Sequence, residues 1–420
     1  MAKKVIHKEL TINKELTGAQ DLYNFLFEAC NIIRGPISQD NFKDYITPLL
    51  YYKRISDVYD EETEEALNYS DGDEEFASLP EQHRFIIPDG CHWQEVRERT
   101  ENLGAAIVGA MRQIEIANPD TLYGVLSMFS AQKWTNKAIL NDSKIRDLIE
   151  HLSKRKLGNK AYPADLMGDA YEILLKKFAD DSKAQAGEFY TPRSVVKLLV
   201  HILDPQPGET VYDPACGSGG MLIEAIRYMN DDSLCCGSIF GQEKNVMNAA
   251  IAKMNLFLHG ASDFNVMQGD TLKDPKILQS GNIAKFDCVI ANPPFSLENW
   301  GATEWSSDKY QRNIYGTPSD SCGDYAWIQH MVCSMASGRG RMAVVMPQGI
   351  LFRGNQEGKI RKQLVESDLI EAVVTLGDKL FYGTGLSPCF LIIRRMKSAH
   401  HSGRILMIDG SKILTQKRAQ

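Results

Sequence analysis

The sequence lacks the features that would place a chain in a membrane or send it across one. No apolar run reaches the ~18 residues of a membrane span, and the opening MAKKVIHKELTINKEL has no apolar core of a secretory signal. Nine cysteines make an odd number with irregular spacing. Cys235 and Cys236 are adjacent and no C-x-x-C pair occurs, so neither a disulfide framework nor a zinc site is indicated. The expectation is a reducing, cytoplasmic setting. There is no internal repeat and no low-complexity segment. No dense basic patch is present either, which argues against tight DNA binding by this chain alone.

What is present is the composition of a soluble globular protein, 43% hydrophobic and 24% charged. Its 420 residues exceed one ordinary domain. The net charge of −7 is unevenly placed: residues 1–180 carry −8 and residues 181–420 carry +1. Asp60–Glu75 alone holds nine acids and no base, a pattern of a solvated loop or exposed helix end. The acidity is local, so it does not exclude a nucleic-acid partner.

Two grammars divide the chain. Thr17–Ile33 places Leu22, Phe25, Leu26 and Cys30 at helical spacing and ends at Gly35-Pro36. Phe42–Tyr59 does the same with Tyr45, Ile46, Leu49, Leu50 and Tyr52. Trp93–Ile116 and Ile139–Leu152 are expected to be two more amphipathic helices, giving an all-α domain over residues 1–160. From there, after a helix Leu166–Phe178, short β-rich runs alternate with helical ones. Strands are expected at 209–213, 238–241, 264–269, 286–291, 341–346, 369–375, 389–394 and 404–408, with helices at 221–229, 245–258, 327–335 and 358–365. Continuous apolar strands alternating with helices imply an α/β domain over residues 161–420, with a doubly wound, mostly parallel sheet covered on both faces.

The chemistry-bearing residues fall at the ends of those strands. Val211-Tyr-Asp-Pro-Ala-Cys-Gly-Ser-Gly-Gly-Met221 is a strand, a glycine turn and a helix start. Its small residues let backbone amides approach a ligand. Asp213, ahead of the glycines, suits a cationic group such as an ammonium better than a pyrophosphate. Glu243 ends the next strand, in the place where an acid commonly meets ribose hydroxyls, and Asp270 ends the third. Each alone is an ordinary loop acid; together they describe a nucleoside-like ligand.

The fourth strand runs CVIANPPF and stops at Asn292. The Asn292 amide oxygen accepts hydrogen bonds, and Pro293 offers only a carbonyl. Two acceptors without competing donors suit an exocyclic amine. Accepting both of its N–H bonds favours the pyramidal nitrogen and frees the lone pair for attack. Pro293 and Pro294 stiffen the turn, and Phe295 offers a face on which an extruded base can stack.

DPACGSGG, GQE, GD and NPPF, preceded by GEFYTP, resemble the S-adenosylmethionine-dependent amino-methyltransferases acting on adenine N6. DLMGDAYEILLKKFA, GEFYTPRSVV, DYAWIQHM, RMAVVMPQGILFRG and KLFYGTGLSPCFLII narrow the resemblance to the modification subunit of type I restriction–modification systems, over nearly the whole chain. The resemblance implies a Rossmann-like methyltransferase domain preceded by an α-helical one with partner and DNA contacts. Gly187, Glu188, Phe189, Tyr190, Thr191 and Pro192 would wrap the methionine end of the cofactor, with Gly217, Ser218 and Gly219 beside it. Asp213 would face the methionine ammonium, Glu243 the ribose and Asp270 the cofactor adenine. Asn292 and Pro293 would hold the N6 amine of a flipped adenine in double-stranded DNA, with Phe295 stacked on the base, and no metal is needed. For Arg193, Tyr190 and Asp324-Tyr325, approach to DNA and packing both remain open.

No insert of a hundred or more residues is available to read a DNA sequence. The resemblance assigns that to a specificity subunit, bound by two modification subunits, with restriction subunits completing the nuclease. This chain has no Walker A or helicase motif, so it is not the translocating component. Family members usually continue past the equivalent of Leu414–Gln420 with helices that bind the specificity subunit; this sequence stops at LTQKRAQ, which leaves specificity-subunit assembly open. Two other functions stay in play: a protein-glutamine N5-methyltransferase, which shares N-P-P but typically carries Tyr at the Phe295 position, and a non-catalytic cofactor-binding scaffold.

Overall fold

The computed structural model describes residues 2–122, 124–126, 131–181, 191–229, 238–261, 263–377 and 387–411. The chain divides into two compact units, Met1–Ala184 with Phe257–Gly260, and Gln185–Leu256 with Ala261–Gln420. No helix among the described residues is long and apolar enough to cross a membrane.

The first unit contributes no strand to either sheet. Helix Ala2–Ile33 packs against helices Asp142–Ser153 and Ala164–Asp181. Leu22, Phe25, Leu26 and Cys30 are buried as their spacing requires, and so are Tyr45, Ile46, Leu49, Leu50 and Tyr52 on the next helix, Lys43–Tyr69. That helix runs ten residues past the expected Tyr59, into the acidic stretch. Glu61 explains part of the extension: its carboxylate accepts the backbone N–H groups of Asn159 (2.6 Å) and Lys160 (3.1 Å).

The single helix expected over Trp93–Ile116 is instead two, Trp93–Glu98 and Leu103–Ala117. Arg99 turns extended and Asn102 adopts a left-handed φ of +54°. Asp142, distant in sequence, then accepts the N–H groups of Asn102 and Leu103, both at 3.1 Å, and satisfies the donors of the new helix start.

In the second unit, eight strands form one sheet in the order β10-β8-β9-β7-β6-β1-β2-β3. They are β1 (Val211–Asp213), β2 (Ile239–Glu243), β3 (Phe264–Gln268), β6 (Cys288–Ala291), β7 (Arg341–Pro347), β8 (Ile370–Thr375), β9 (Pro388–Arg394) and β10 (Leu406–Asp409). A two-stranded hairpin, β4 (Leu278–Gln279) with β5 (Asn282–Ile283), stands apart. Only β9 runs antiparallel, between β7 and β8.

Alternate residues of the central strands feed opposite cores. Val211, Cys288, Ile290, Ala343 and Val345 pack with helices Arg193–Leu203 and Gly220–Met229. Tyr212, Val289, Ala291, Met342 and Val344 pack with helices Asp324–Ser334 and Asn355–Glu366. Burial on both faces is why these strands read as unbroken apolar runs.

Candidate active site

β6, β1, β2 and β3 are adjacent and parallel, so their carboxyl ends share one edge. Across it follow Asn292, just past β6; Asp213, the last residue of β1; Glu243, the last of β2; and Asp270, two residues past β3. Chain order reverses between β1 and β6, which makes the crevice there the switch point where sheets of this kind bind ligands. The four residues singled out in the sequence therefore lie along one edge of the sheet.

Asp213 is 2% exposed, and its Oδ1 accepts the Ala215 N–H at 2.9 Å. Burial pushes its carboxyl up to about 8; the Ala215 N–H opposes the rise and the nearby Glu243 charge adds to it. No cation among the described residues lowers it, so a ligand bringing positive charge gains there what the free site withholds.

The turn that follows needs its glycines, since Gly217 (φ +54°) and Gly219 (φ +84°) both lie in the left-handed region. Glu243 braces the turn through Oε2, which accepts the Gly217 N–H at 3.0 Å, while Oε1 accepts the Asn245 N–H at 2.7 Å. Burial raises its carboxyl above the ordinary range, against the pull of these N–H groups. Ser218 is held from behind by Asn255 Nδ2, 3.0 Å from its carbonyl. Asp270 pairs with Lys244 at 2.9 Å and accepts the Lys273 N–H at 3.2 Å.

Gly187, Glu188, Phe189 and Tyr190 lie outside the described residues. Thr191 and Pro192 are described, and Pro192 caps helix Arg193–Leu203. Asn292 donates from Nδ2 to Thr191 Oγ1 at 2.9 Å, while Asn292 Oδ1 is buried and has no hydrogen-bond partner among the described residues. A buried carbonyl oxygen left unmatched costs about 1–3 kcal/mol. Such an atom is a built acceptor for a donor that arrives with a ligand. Pro293 is buried, Pro294 exposed, and Phe295 half-buried against the core that contains Val195 and Val196.

Thr191 thus ties the segment expected at the cofactor to the amide expected at the target amine. Thr191→Val, which keeps the shape and removes the hydroxyl, is expected to lower kcat about tenfold with little change in cofactor affinity, and Thr191→Ser to restore it. Steady-state kinetics beside calorimetric binding would check both.

Several supporting residues escaped the sequence reading. Thr271 Oγ1 donates to the Pro214 carbonyl at 2.6 Å, tying the Asp270 loop to the glycine turn. Gln242, fully buried, accepts the Lys276 N–H at 2.9 Å and donates to the Asp274 carbonyl at 3.1 Å. Arg312 donates to the Thr271 and Leu272 carbonyls at 2.9 and 2.8 Å and pairs with Asp308 at 2.7 Å. The one available signal was a polar residue inside an apolar run, as with Asn255 in MNLFL.

Comparison with known proteins identifies the family. Residues 163–420 match the family model described as N-6 DNA Methylase, and residues 22–152 match the HsdM N-terminal domain. The MjaVIII type I restriction enzyme methylase subunit of Methanocaldococcus jannaschii is 33% identical, over 96% of this chain and 70% of that protein. The EcoKI methylase subunit of Escherichia coli K12 is 27% identical, over 89% of this chain and 67% of its own length. Among solved structures, the type I restriction–modification methyltransferase subunit from Streptococcus thermophilus superposes with a TM-score of 0.79 at 27% identity, over 96% of this chain and 89% of that one.

Proposed function

The chain belongs to the N-6 DNA methylase family, as a methylase subunit of a type I restriction–modification enzyme, and from that premise we propose that it moves the methyl group of S-adenosylmethionine to N6 of an adenine flipped out of double-stranded DNA. The observation that carries this reading is the buried Oδ1 of Asn292, without a partner among the described residues, at the tip of β6 beside the Asp213 turn of β1.

The residues fit the cofactor. A buried carboxyl with no cation beside it among the described residues, a glycine turn in left-handed conformation and two further acids along one edge match an ammonium, a close-lying chain and a nucleoside. Gly187–Pro192 and Gly217–Gly219 would hold its methionine end, Asp213 its ammonium, Glu243 its ribose hydroxyls and Asp270 its adenine amine. S-adenosylmethionine supplies a methyl carbon on a positively charged sulfur; transfer forms the N–C bond as the C–S bond breaks, and the amine gives up one proton.

The chain's own part is to prepare the amine. Asn292 Oδ1 and the Pro293 carbonyl accept its two N–H bonds, so its lone pair leaves the ring's conjugation. Pro293 and Pro294 limit the turn's freedom, and Phe295 presents a ring edge or face to the base. Alignment supplies the largest share of rate, and no metal is called for. The helical domain over residues 1–160 would contact partners and DNA, the domain over 161–420 would catalyse, and a separate specificity subunit would read the target, bound by two methylase subunits and joined by restriction subunits.

The test is incubation with labelled methyl donor and adenine-containing duplex DNA, with and without the specificity partner, followed by mass analysis of nucleosides. Label in N6-methyladenine, dependent on the partner, is expected. Label in protein glutamine would favour the N5-methyltransferase reading, and cofactor binding without transfer would favour a scaffold.

A further inference from the structure

After Phe295 the chain must leave the strand tip at once, and it does so through strained backbone. Ser296 (φ +50°) and Asn299 (φ +52°) are both non-glycine residues in the left-handed region. Something has to hold that conformation. The segment 296–300 is laced to residues 319–324: Asn299 N–H donates to the Asp320 carbonyl at 3.0 Å, Gly323 N–H to the Leu297 carbonyl at 3.0 Å, and Trp300 Nε1 to the Ser319 carbonyl at 2.8 Å. On Ser296 itself, the residue beside the N-P-P-F motif, the partner is a side chain. Asp324 Oδ1 accepts the Ser296 N–H at 2.7 Å.

Asp324 has no solvent exposure at all. Its other oxygen, Oδ2, accepts from Arg353 Nη1 at 2.9 Å, and the same nitrogen reaches Cys322 Sγ at 2.7 Å and Glu357 Oε1 at 3.1 Å. Cys322, Asp324 and Glu357 have the spacing of a metal-ligating group. The Arg353 guanidinium stands among their ligand atoms, so the positive charge of the cluster is the chain's own. Arg353 is fixed in turn by Arg361 Nη1, 2.7 Å from its carbonyl. A fully buried carboxylate with both oxygens committed, one to a strained backbone N–H and one to a guanidinium, is more than a helix needs at its start.

We propose that Asp324 is a positioning residue: it fixes the turn that follows Phe295, and so the placement of Asn292 and Phe295, with Arg353 holding its charge. This rests on the reading of Asn292 as the residue that meets the target amine. It also decides between the two roles left open for Asp324 in the sequence, in favour of bracing the site.

The test uses the full chain with its specificity partner, S-adenosylmethionine and adenine-containing duplex DNA. Asp324→Ala is expected to speed amide exchange in the peptide spanning 293–300 and to lower kcat about a hundredfold, with cofactor affinity unchanged. Asp324→Asn keeps the acceptor for Ser296 and leaves Arg353 its second carboxylate, Glu357 at 3.1 Å, so it guards against an alanine variant that does not fold and should keep activity within about fivefold of wild type. Exchange over 293–300 that stays at the wild-type rate in Asp324→Ala overturns the inference whatever the activity, and so does faster exchange with unchanged kcat. An Asn292→Ala control that remains fully active overturns the site reading instead, and the exchange measurement tells the two failures apart.

Discussion

Asn292→Ala is expected to reduce kcat for methyl transfer to DNA by about 100- to 1000-fold while leaving cofactor affinity within a factor of two. The argument starts from the atoms. Among the described residues Nδ2 is committed to Thr191 and Oδ1 is buried without a partner, so Oδ1 is open to an incoming donor. An exocyclic amine conjugated to its ring is a poor nucleophile, and acceptors on its N–H bonds matter most as the nitrogen becomes pyramidal. That interaction strengthens in the transition state, so its loss should appear in kcat and not in binding. Alanine removes the acceptor outright. Asn292→Asp keeps an acceptor toward the amine, and its second oxygen can accept from the Thr191 hydroxyl, so it should retain part of the activity. The three proteins compared in one labelled-methyl assay give the ranking wild type, Asp, Ala. Alanine at near wild-type activity would move the chemistry away from the tip of β6.

Much of the catalytic unit was legible because its strands are buried on both faces. β6, and β7 after its first residue Arg341, are continuous apolar runs buried throughout, and the glycine turn after β1 names its own left-handed positions. The antiparallel course of β9 was not legible, since strand direction is set by which neighbours a strand finds and not by its own composition. Nor was the break before Leu103, where no glycine or proline announces the turn and the capping carboxylate, Asp142, comes from a distant helix.

The site divides in the same way. Asp213, Glu243, Asp270 and Asn292 each carry a local signal, a chemistry-bearing residue at a strand end, and the parallel sheet brings them together. Their supports carry none. Thr191 lies 101 residues from Asn292, and Asp324 lies 28 residues from Ser296. A hydrogen bond between such positions exists only after the fold has formed, so no spacing rule could have shown it. Thr191 illustrates the limit: its motif suggested a place beside the cofactor, while its hydroxyl accepts from the Asn292 amide.

Cofactor binding should release close to one proton below neutral pH, and affinity should rise about tenfold for each pH unit between 5 and 7. The source is Asp213. In the free protein, burial holds its carboxyl at about 8, so at pH 6 the group is protonated. A bound ammonium or sulfonium favours the carboxylate, and the proton must leave as the cation arrives. The gain ends near pH 8, where both this carboxyl and a ligand amine of the α-amino type, with an ordinary value of about 8, change charge. The same shift has an opposite sign in stability. A carboxyl raised from 3.8 to about 8 on folding contributes stability that is complete below pH 3.8 and is lost as the pH rises through about 8. The ligand-free protein should therefore melt lower at pH 8 than at pH 5, and S-adenosylmethionine should recover most of the difference. Asp213→Asn removes the titrating group; its melting temperature should be flatter over that range, its affinity weaker at pH 7, and its proton release absent. Calorimetry in buffers of different ionisation enthalpy reads the proton directly. No release in the wild-type protein at pH 6 would mean that Asp213 is already charged before the ligand arrives, and that the cationic end of the cofactor is met elsewhere.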